Sequence, residues 1–416
     1  MENKKKLNIS KSLKLFEESQ ELVPGGVLGI RRPYNFVDGE YPVFVDSGKG
    51  MHIVDIDGNE YIDYLCAYGP VILGYREEEV DNAVISQIQD KGFCFSLTQE
   101  YQNILAKKFQ DLIPCSEMTI FVKTGSDATT TAIRLARAYT DKVKVMRCGY
   151  HGWHDWCVEV KGGIPPKLFE DIYEFRYNDI ESLENLLIKH GDETGAIIIT
   201  PFGHPLAQKM EEPDPGFLEA IKSLAEKYRA VLIFDEIRTG FRMSLGGAQE
   251  YYKVTPDLAC FGKAMANGYS ISAVTGKAEI MRTGEKKVFI SSTFFPNSLA
   301  YVASLKTIEI LERDDILSSI RAKGNCFHNR VQSVIDKHKT GAELSGIGPM
   351  FFITFKKDKE KTYTEKRMLF YSQLIRRGIF MHPYHHGYIA YRHTDDDLDN
   401  TVQAIDESLA TLADNL

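Results

Sequence analysis

The sequence predicts an α/β protein with a large domain and a smaller α+β domain. The large domain has a mostly parallel central sheet flanked by helices, and both chain ends build the smaller one. The middle of the chain alternates strand and helix signals, as layered α/β folds do. Its strand segments are continuous apolar runs, typical of parallel strands buried on both faces. A length of 416 residues allows a large core and two domains.

The first elements belong to the smaller domain. The N-terminal segment predicts an amphipathic helix with Leu13, Phe16 and Leu22 on its apolar face. Residues 43–65 place Asp57-Gly58 between two alternating apolar stretches, which predicts a β-hairpin.

The large domain contains the strongest strand signals, which cover residues 118–123, 143–148, 196–200 and 230–236. A helix follows the first of them, after a short turn at 124–127. Asp214 as N-cap and Pro215 as first helical residue predict another helix, before the last of these strands. The apolar face of that helix carries Leu218, Ile221, Leu224 and Ala225.

The tail after about residue 310 mixes helices with short strands such as 351–355. We therefore predict a split small domain, residues 1–65 and 310–416, around a large domain of residues 66–309.

The overall composition excludes several functional classes. A net charge of −8 does not favour binding to nucleic acid or to an anionic membrane. No apolar run approaches the roughly 18 residues of a spanning helix, and the N-terminus has no signal-peptide pattern. The seven cysteines are scattered without a C-x-x-C pair, as expected for reduced thiols rather than a metal site. We expect a cytoplasmic protein.

A strand, a glycine turn and a helix start at Gly125-Ser126 form a candidate anion site. Free backbone N–H groups and the helix dipole favour a phosphate there. A plain helix cap by Ser126 or Asp127 explains the same pattern.

Asp235 and Lys263 are the candidate reactive groups. Asp235 ends an apolar strand, where ligands of open α/β sheets bind, although a loop salt bridge is an alternative. Lys263 lies among small and apolar residues, which would desolvate its amine, although most lysines extend to the surface. Tyr150 and His151 follow another strand, and the tyrosine ring could stack on a flat ligand or belong to the core.

Together and in this order, these segments resemble the class III aminotransferases, pyridoxal-phosphate-dependent enzymes of fold type I. The similarity extends from about Leu22 to Leu409. The most specific stretch is 232–268, with its DE-x-x-TGFR and PDL…GK blocks; the other matching segments are 22–27, 57–64, 69–75, 134–140, 150–155 and 390–399. Within the family, the chain is most similar to glutamate-1-semialdehyde aminomutase and related aminotransferases.

The resemblance implies a set of cofactor residues. Lys263 would carry pyridoxal 5′-phosphate as a Schiff base and then move a proton, and Asp235 would pair with the ring nitrogen. Gly125 and Ser126 match the phosphate positions. The other matches are Tyr150, which would stack on the ring, His151 beside it, and Thr293, which would reach the phosphate of a neighbouring subunit in a homodimer.

The resemblance also suggests substrate residues, and some segments depart from the family. Arg32 falls where the aminomutase binds the substrate carboxylate, and Tyr68 falls at the substrate mouth. His204 lies in a segment, 200–210, that replaces the family's acidic start and cofactor-contacting Asn. It could contact the phenolic oxygen of the cofactor or be a structural histidine. His385 replaces a glutamate. The loop between 150–152 and 177–179 is shorter than the lid that retains the aminomutase intermediate.

We therefore predict an aminotransferase that moves an amino group from an amino acid, by default glutamate, to an aldehyde or ketone. A polar or sugar-like biosynthetic intermediate would be a suitable acceptor. An aminomutase or an amino-acid racemase on the same fold is the alternative.

Overall fold

The structure, a computed structural model, describes residues 4–414 and divides them into two compact units. The first unit contains the chain up to residue 77, residues 204–211 and the chain from residue 318 on; the second contains residues 78–203 and 212–317. Both chain ends fall in one unit and the middle in the other. The predicted domains, 1–65 with 310–416 and 66–309, stay a prediction beside these units.

The described residues form fourteen β-strands and twelve α-helices. The strands are β1 (Val45–Lys49), β2 (His52–Asp55), β3 (Glu60–Asp63), β4 (Met118–Val122), β5 (Lys144–Cys148), β6 (Ile172–Glu174), β7 (Thr194–Ile199), β8 (Val231–Asp235), β9 (Leu258–Phe261), β10 (Ser272–Gly276), β11 (Ala342–Ile347), β12 (Met350–Phe355), β13 (Ile379–Phe380) and β14 (Gly387–Tyr388). The helices are α1 (Ser10–Gln20), α2 (Glu78–Asp90), α3 (Tyr101–Leu112), α4 (Gly125–Thr140), α5 (Ile180–His190), α6 (Phe217–Tyr228), α7 (Ala248–Tyr252), α8 (Ala278–Met281), α9 (Ser298–Arg313), α10 (Ile316–His338), α11 (Thr362–Ile375) and α12 (Asp395–Asp414).

The second unit is built on a seven-stranded sheet in the order β4-β10-β9-β8-β7-β5-β6. Only β10 among these strands is antiparallel, to both β4 and β9. The pairs β9-β8, β8-β7, β7-β5 and β5-β6 are parallel. The carboxyl ends of six strands therefore share one edge, and the predicted α/β class with a mostly parallel sheet is confirmed.

Apolar side chains cover both faces of this sheet. On one face, Ile198 and Ile233 pack in a core with Leu135 of α4. On the other face, Leu232 packs in a second core with Ile221 of α6. Because each buried side chain of this size contributes about 1.5–3 kcal/mol, the two layers hold the sheet rigidly.

The predicted start of α6 is wrong. The helix begins at Phe217 and its N-cap is Gly216, which has a φ of +86°. The backbone N–H of Asp214 donates to the side chain of Asn178 at 2.9 Å, and Phe217 donates to the Asp214 carbonyl at 2.9 Å. Asp214 and Pro215 therefore form a turn before the helix, because only glycine readily adopts the left-handed conformation at position 216.

The first unit contains a four-stranded sheet, β1-β2-β3-β13, and a three-stranded sheet, β11-β12-β14. The predicted hairpin is present as β2 and β3, with Gly58 at a φ of +90° in its turn. None of the described helices has the length and apolarity needed to cross a membrane. Within residues 4–414, no disulfide links the seven cysteines and no cluster of metal-ligating residues occurs.

The hairpin turn anchors α1. The Asp57 carboxylate accepts the backbone N–H of Lys11 at 2.8 Å and that of Ser12 at 2.9 Å, so it caps the helix from a distant segment. Leu13 and Phe16 are half-buried, as predicted. Leu22 is 83% exposed and lies beyond the end of the helix, so its predicted place on the apolar face is wrong.

We predict that Asp57→Ala lowers the free energy of unfolding by about 1 kcal/mol, because two N-terminal donors of α1 lose their acceptor. Chemical denaturation measures the loss, and hydrogen exchange should accelerate in residues 10–14. Asp46→Ala, at an exposed position of β1, is the matched control and should change neither quantity. Equal losses in both variants would contradict the capping role.

Candidate active site

Four segments converge at the carboxyl edge of the large sheet. They lie at the ends of β4, β5, β8 and β9, and they contribute most of the residues that the sequence singles out. Six of the seven predicted cofactor residues lie there: Gly125, Ser126, Tyr150, His151, Asp235 and Lys263. The exception is Thr293, which is exposed in the segment before α9, so its predicted role toward a partner subunit stays a prediction.

The start of α4 leaves backbone donors for an anion. Thr124 is the N-cap, and it exchanges hydrogen bonds with Asp127 in a capping box. The alternative of a helix cap is therefore met in part, because Asp127 takes part in the cap, whereas the N-cap is Thr124 and not Ser126. Because the box uses only the Thr124 and Asp127 N–H groups, those of Gly125 and Ser126 need another acceptor. A phosphate suits this position.

A glycine shapes the wall beside Ser126. A Cβ at Gly152 would lie 2.3 Å from the Ser126 hydroxyl oxygen, and Gly152 has a φ of +116°. The next residue, Trp153, donates its backbone N–H to that hydroxyl at 3.2 Å. The segment after β5 therefore fixes the side chain of Ser126.

Asp235 is held by His151. The two are buried, with 5% and 1% of their surfaces exposed, and Asp235 Oδ2 lies 2.8 Å from His151 Nδ1. Because a carboxylate only accepts, Nδ1 is the donor. The other oxygen, Oδ1, accepts the Ile237 backbone N–H at 3.1 Å. The carboxylate retains acceptor capacity for a further N–H group, and His151 Nε2 is buried without a partner.

Ile237 joins two of the converging turns. A Cβ at Gly125 would lie 3.2 Å from Ile237 Cγ2, and a Cβ at Gly262 would lie 3.1 Å from Ile237 Cδ1. Ile237 thus forms an apolar wall between the turn at Gly125 and the turn that leads from Gly262 to Lys263. Sequence reasoning missed this residue; its place two positions after Asp235 is the only signal that the sequence offers.

Lys263 lies in a strained and partly buried turn. Its φ of +43° is in the left-handed region, which is costly for a residue with a side chain and is often found at functional sites. Burial lowers the pKa of Lys263 well below its usual 10.5; Arg238 lowers this pKa further and Asp235 opposes the shift. A lower pKa favours the proton-free amine, which is a nucleophile. The burial does not fit the alternative of a lysine that extends into solvent.

Arg238 is a further buried charge that sequence reasoning missed. Its side chain is only 9% exposed and follows Asp235 by three positions. It also acts on Tyr150, whose pKa is raised chiefly by burial and is lowered in part by Arg238. Tyr150 remains 53% exposed, so about half of the residue is accessible.

Three of the four predicted substrate residues come together in the first unit. The rings of Tyr68 and His385 have centroids 5.3 Å apart, and His385 stacks on His386 at 4.1 Å. His204 meets His386 at 5.5 Å. Burial lowers the pKa of the neighbouring His382 to about 3, so that ring is uncharged at neutral pH. We name Tyr68, His204, His382, His385 and His386 the ring cluster.

Arg32 is not part of the ring cluster. Its guanidinium donates to the carbonyls of Val27 and Pro24, both at 3.2 Å, and to the Tyr34 hydroxyl at 3.3 Å. A Cβ at Gly25 would lie 2.8 Å from its Nε, so the side chain packs closely on its own loop.

Comparisons with known proteins identify the family. A family model for class-III aminotransferases matches residues 35–409. The chain belongs to the class-III aminotransferases. It is 62% identical to a 3-aminobutyryl-CoA aminotransferase of Cloacimonas acidaminovorans, over 97% of this chain and 98% of that one. A glutamate-1-semialdehyde 2,1-aminomutase of Methanobrevibacter smithii is 36% identical, over 95% and 97%.

A solved structure shows the same fold. The FumI protein of Sphingopyxis sp. MTA144, in its PLP internal aldimine form, superposes with a TM-score of 0.93. It is 28% identical, with 98% of this chain and 97% of that chain covered. This class-III aminotransferase therefore has the fold type I architecture, and its cofactor is pyridoxal 5′-phosphate.

The residues at the sheet edge fit that cofactor. Pyridoxal 5′-phosphate presents a phosphate, a ring nitrogen and an aldehyde. The edge offers the free N–H groups of Gly125 and Ser126, the Asp235 carboxylate with spare acceptor capacity, and the Lys263 amine, whose pKa burial lowers. Each chemical group of the cofactor thus has a partner of suitable charge.

We predict that Lys263→Met raises the melting temperature of the cofactor-free protein at pH 7 by about 2 °C. The unfolded chain keeps the lysine proton up to a pH near 10.5, whereas the folded chain releases it at a lower pH. Removing the amine therefore removes a cost of folding at neutral pH, and the gain should shrink as the pH rises toward 10.5. Lys286→Met, at an exposed position, is the control. A gain that grows with pH would contradict the assignment.

Proposed function

We propose that this class-III aminotransferase moves an amino group between C3 of a 3-aminoacyl-CoA thioester and an oxo acid. The observation that carries the proposal is the 62% identity, over nearly the full chain, to a 3-aminobutyryl-CoA aminotransferase. When the C3 amine leaves, the thioester becomes a 3-oxoacyl thioester and the oxo acid becomes an amino acid. We expect glutamate and its oxo acid to be the second pair. This thioester replaces the sugar-like compound that the sequence suggests.

Lys263 is the proposed catalytic residue. Its Nζ would hold the cofactor at the aldehyde group and would take the proton from C3 of the substrate. Bound pyridoxal 5′-phosphate supplies an electron sink for the electrons that this proton leaves behind. Burial lowers the pKa of Lys263, which favours the proton-free amine that can accept this proton.

The other residues have proposed supporting roles. Asp235, held by His151, would accept the N–H of the cofactor ring and keep that nitrogen protonated. Gly125 and Ser126 would bind the phosphate, and Tyr150 would stack on the ring. We propose that Thr293 completes the phosphate site of a partner subunit in a homodimer, as in the family.

The environment of Arg32 in the first unit supports a thioester rather than a free acid. A free 3-amino acid has a carboxylate beside its reacting carbons, which a site would bind with a cation. Arg32, the arginine predicted for this task, donates instead to the carbonyls of its own loop.

A single-turnover experiment tests this function. Loaded protein mixed with 3-aminobutyryl-CoA and no oxo acid should release about one equivalent of 3-oxobutyryl-CoA per subunit, because the amino group stays on the cofactor. Lys263→Ala should release none within the same time, while Lys286→Ala should behave like the wild type. If the wild type released no oxo thioester, the proposal would fail. Efficient formation of 5-aminolevulinate from glutamate 1-semialdehyde would instead support the aminomutase.

Arg32→Ala distinguishes binding of a carboxylate from support of the loop. We predict that the wild type prefers 3-aminobutyryl-CoA to free 3-aminobutyrate by a factor of about 100 in kcat/KM. Because Arg32 supports its loop, Arg32→Ala should lower both values together and leave their ratio within about threefold. Arg31→Ala applies the same test to the exposed neighbouring arginine. A selective loss of activity with the free acid in either variant would contradict the proposal.

A further inference from the structure

A left-handed turn lies between β3 and α2 in the first unit. Three consecutive residues with side chains, Cys66, Ala67 and Tyr68, have φ angles of +50°, +54° and +69°, and Gly69 follows at +103°. A single such residue is uncommon, and three in succession persist only where the surroundings hold them. The sequence of the turn, C-A-Y, offers no intrinsic reason for this conformation.

Asp63 is the group that holds the turn. Its carboxylate accepts the backbone N–H of Leu65 at 2.7 Å and that of Cys66 at 3.1 Å. The Tyr75 hydroxyl donates to the same carboxylate at 2.6 Å. Asp63 is 2% exposed, so these bonds are shielded from water. On the far side of the turn, a Cβ at Gly69 would lie 2.8 Å from the Tyr388 hydroxyl, so the turn is packed closely there as well.

The turn ends at Tyr68, whose ring contacts two other members of the ring cluster and the segment that contains Ile30 and Arg31. The Tyr68 ring lies 5.9 Å from that of His382 and 5.3 Å from that of His385, edge-on to both. Its hydroxyl donates to the Ile30 carbonyl at 3.2 Å, and the Arg31 guanidinium carbon lies 5.5 Å from its ring centroid. A change in the turn would therefore move the Tyr68 ring and alter its contacts with the two histidines and with the segment of Ile30 and Arg31.

We propose that Asp63 is a positioning residue: it stores backbone strain in the Cys66–Tyr68 turn so that Tyr68 stands in one orientation for the acyl part of the substrate. This inference rests on the proposed function, because Tyr68 is a predicted substrate residue. Asp63 touches neither substrate nor cofactor in this scheme. It acts on substrate affinity and not on the chemical step.

Asp63→Asn is the direct test, with Asp55→Asn as the matched control. Asp55 is also 2% exposed on the same hairpin, and it accepts the backbone N–H of Asp57 at 2.9 Å and the Tyr61 hydroxyl at 2.7 Å. We expect Asp63→Asn to raise KM for 3-aminobutyryl-CoA about tenfold and to change kcat by less than about twofold. Asp55→Asn should lower the melting temperature to a similar degree and leave KM unchanged. Equal effects of the two variants on KM would overturn the proposal.

A double-mutant cycle tests whether Asp63 acts through Tyr68. In a Tyr68→Ala background, Asp63→Asn should raise KM no further, because the ring that it positions is absent. Additive effects would show that Asp63 acts by another route. Tyr75→Phe removes one bond to Asp63 and should raise KM about threefold. It replaces Asp63→Asn if that variant does not fold, and an unchanged KM would then overturn the proposal.

Hydrogen exchange separates this inference from the proposed function. Asp63→Asn should accelerate exchange of the Tyr68 and Gly69 amides about tenfold, whereas Asp55→Asn should not. This readout needs no substrate, so unchanged exchange overturns the positioning role even if the thioester proves to be the wrong substrate. A wild-type protein that exchanges as expected but does not turn over 3-aminobutyryl-CoA would instead overturn the proposed function alone.

Discussion

The parallel pairing of the strands in the large sheet is the constraint on which the cofactor site depends. Parallel pairs β9-β8, β8-β7 and β7-β5 place their carboxyl ends at one edge, and β4 points the same way across β10. Residues up to 138 positions apart, such as Gly125 and Lys263, thereby enter one site. No single segment could build it. Apolar layers on both faces keep the edge rigid, so the polar groups there need little further support.

The sequence was sufficient for the sheet and for the residue types at its edge. Strands such as β7 and β8 are buried at every position, so their continuous apolar runs were unambiguous. Asp235 and Lys263 were identifiable because a family-specific block encloses both. The start of α6 was misplaced because Asp-Pro is a good helix start in general, whereas here a bond from Asp214 to Asn178 creates a turn.

Other features depend on tertiary contacts that a sequence does not display. The bonds of Arg32 to Val27 and Pro24 are local, but the sequence does not indicate that they would form in preference to a bond with a substrate. The turn at Cys66 is held by a carboxylate three residues earlier and by a tyrosine nine residues later. Ile237 shapes the site only because Gly125 and Gly262, which follow two other strands, pack closely against it.

The left-handed backbone at Lys263 has a consequence for how this protein can change. Because φ is fixed at +43°, the direction in which the side chain leaves the main chain is set by the fold before any rotamer is chosen. A lysine moved by one position would leave in another direction, so its amine could not be transplanted along the loop. Glycine would relax this backbone but would remove the amine. A substitution of Lys263 that stabilises this turn therefore removes the reacting amine. Stabilising substitutions must be sought elsewhere in the chain.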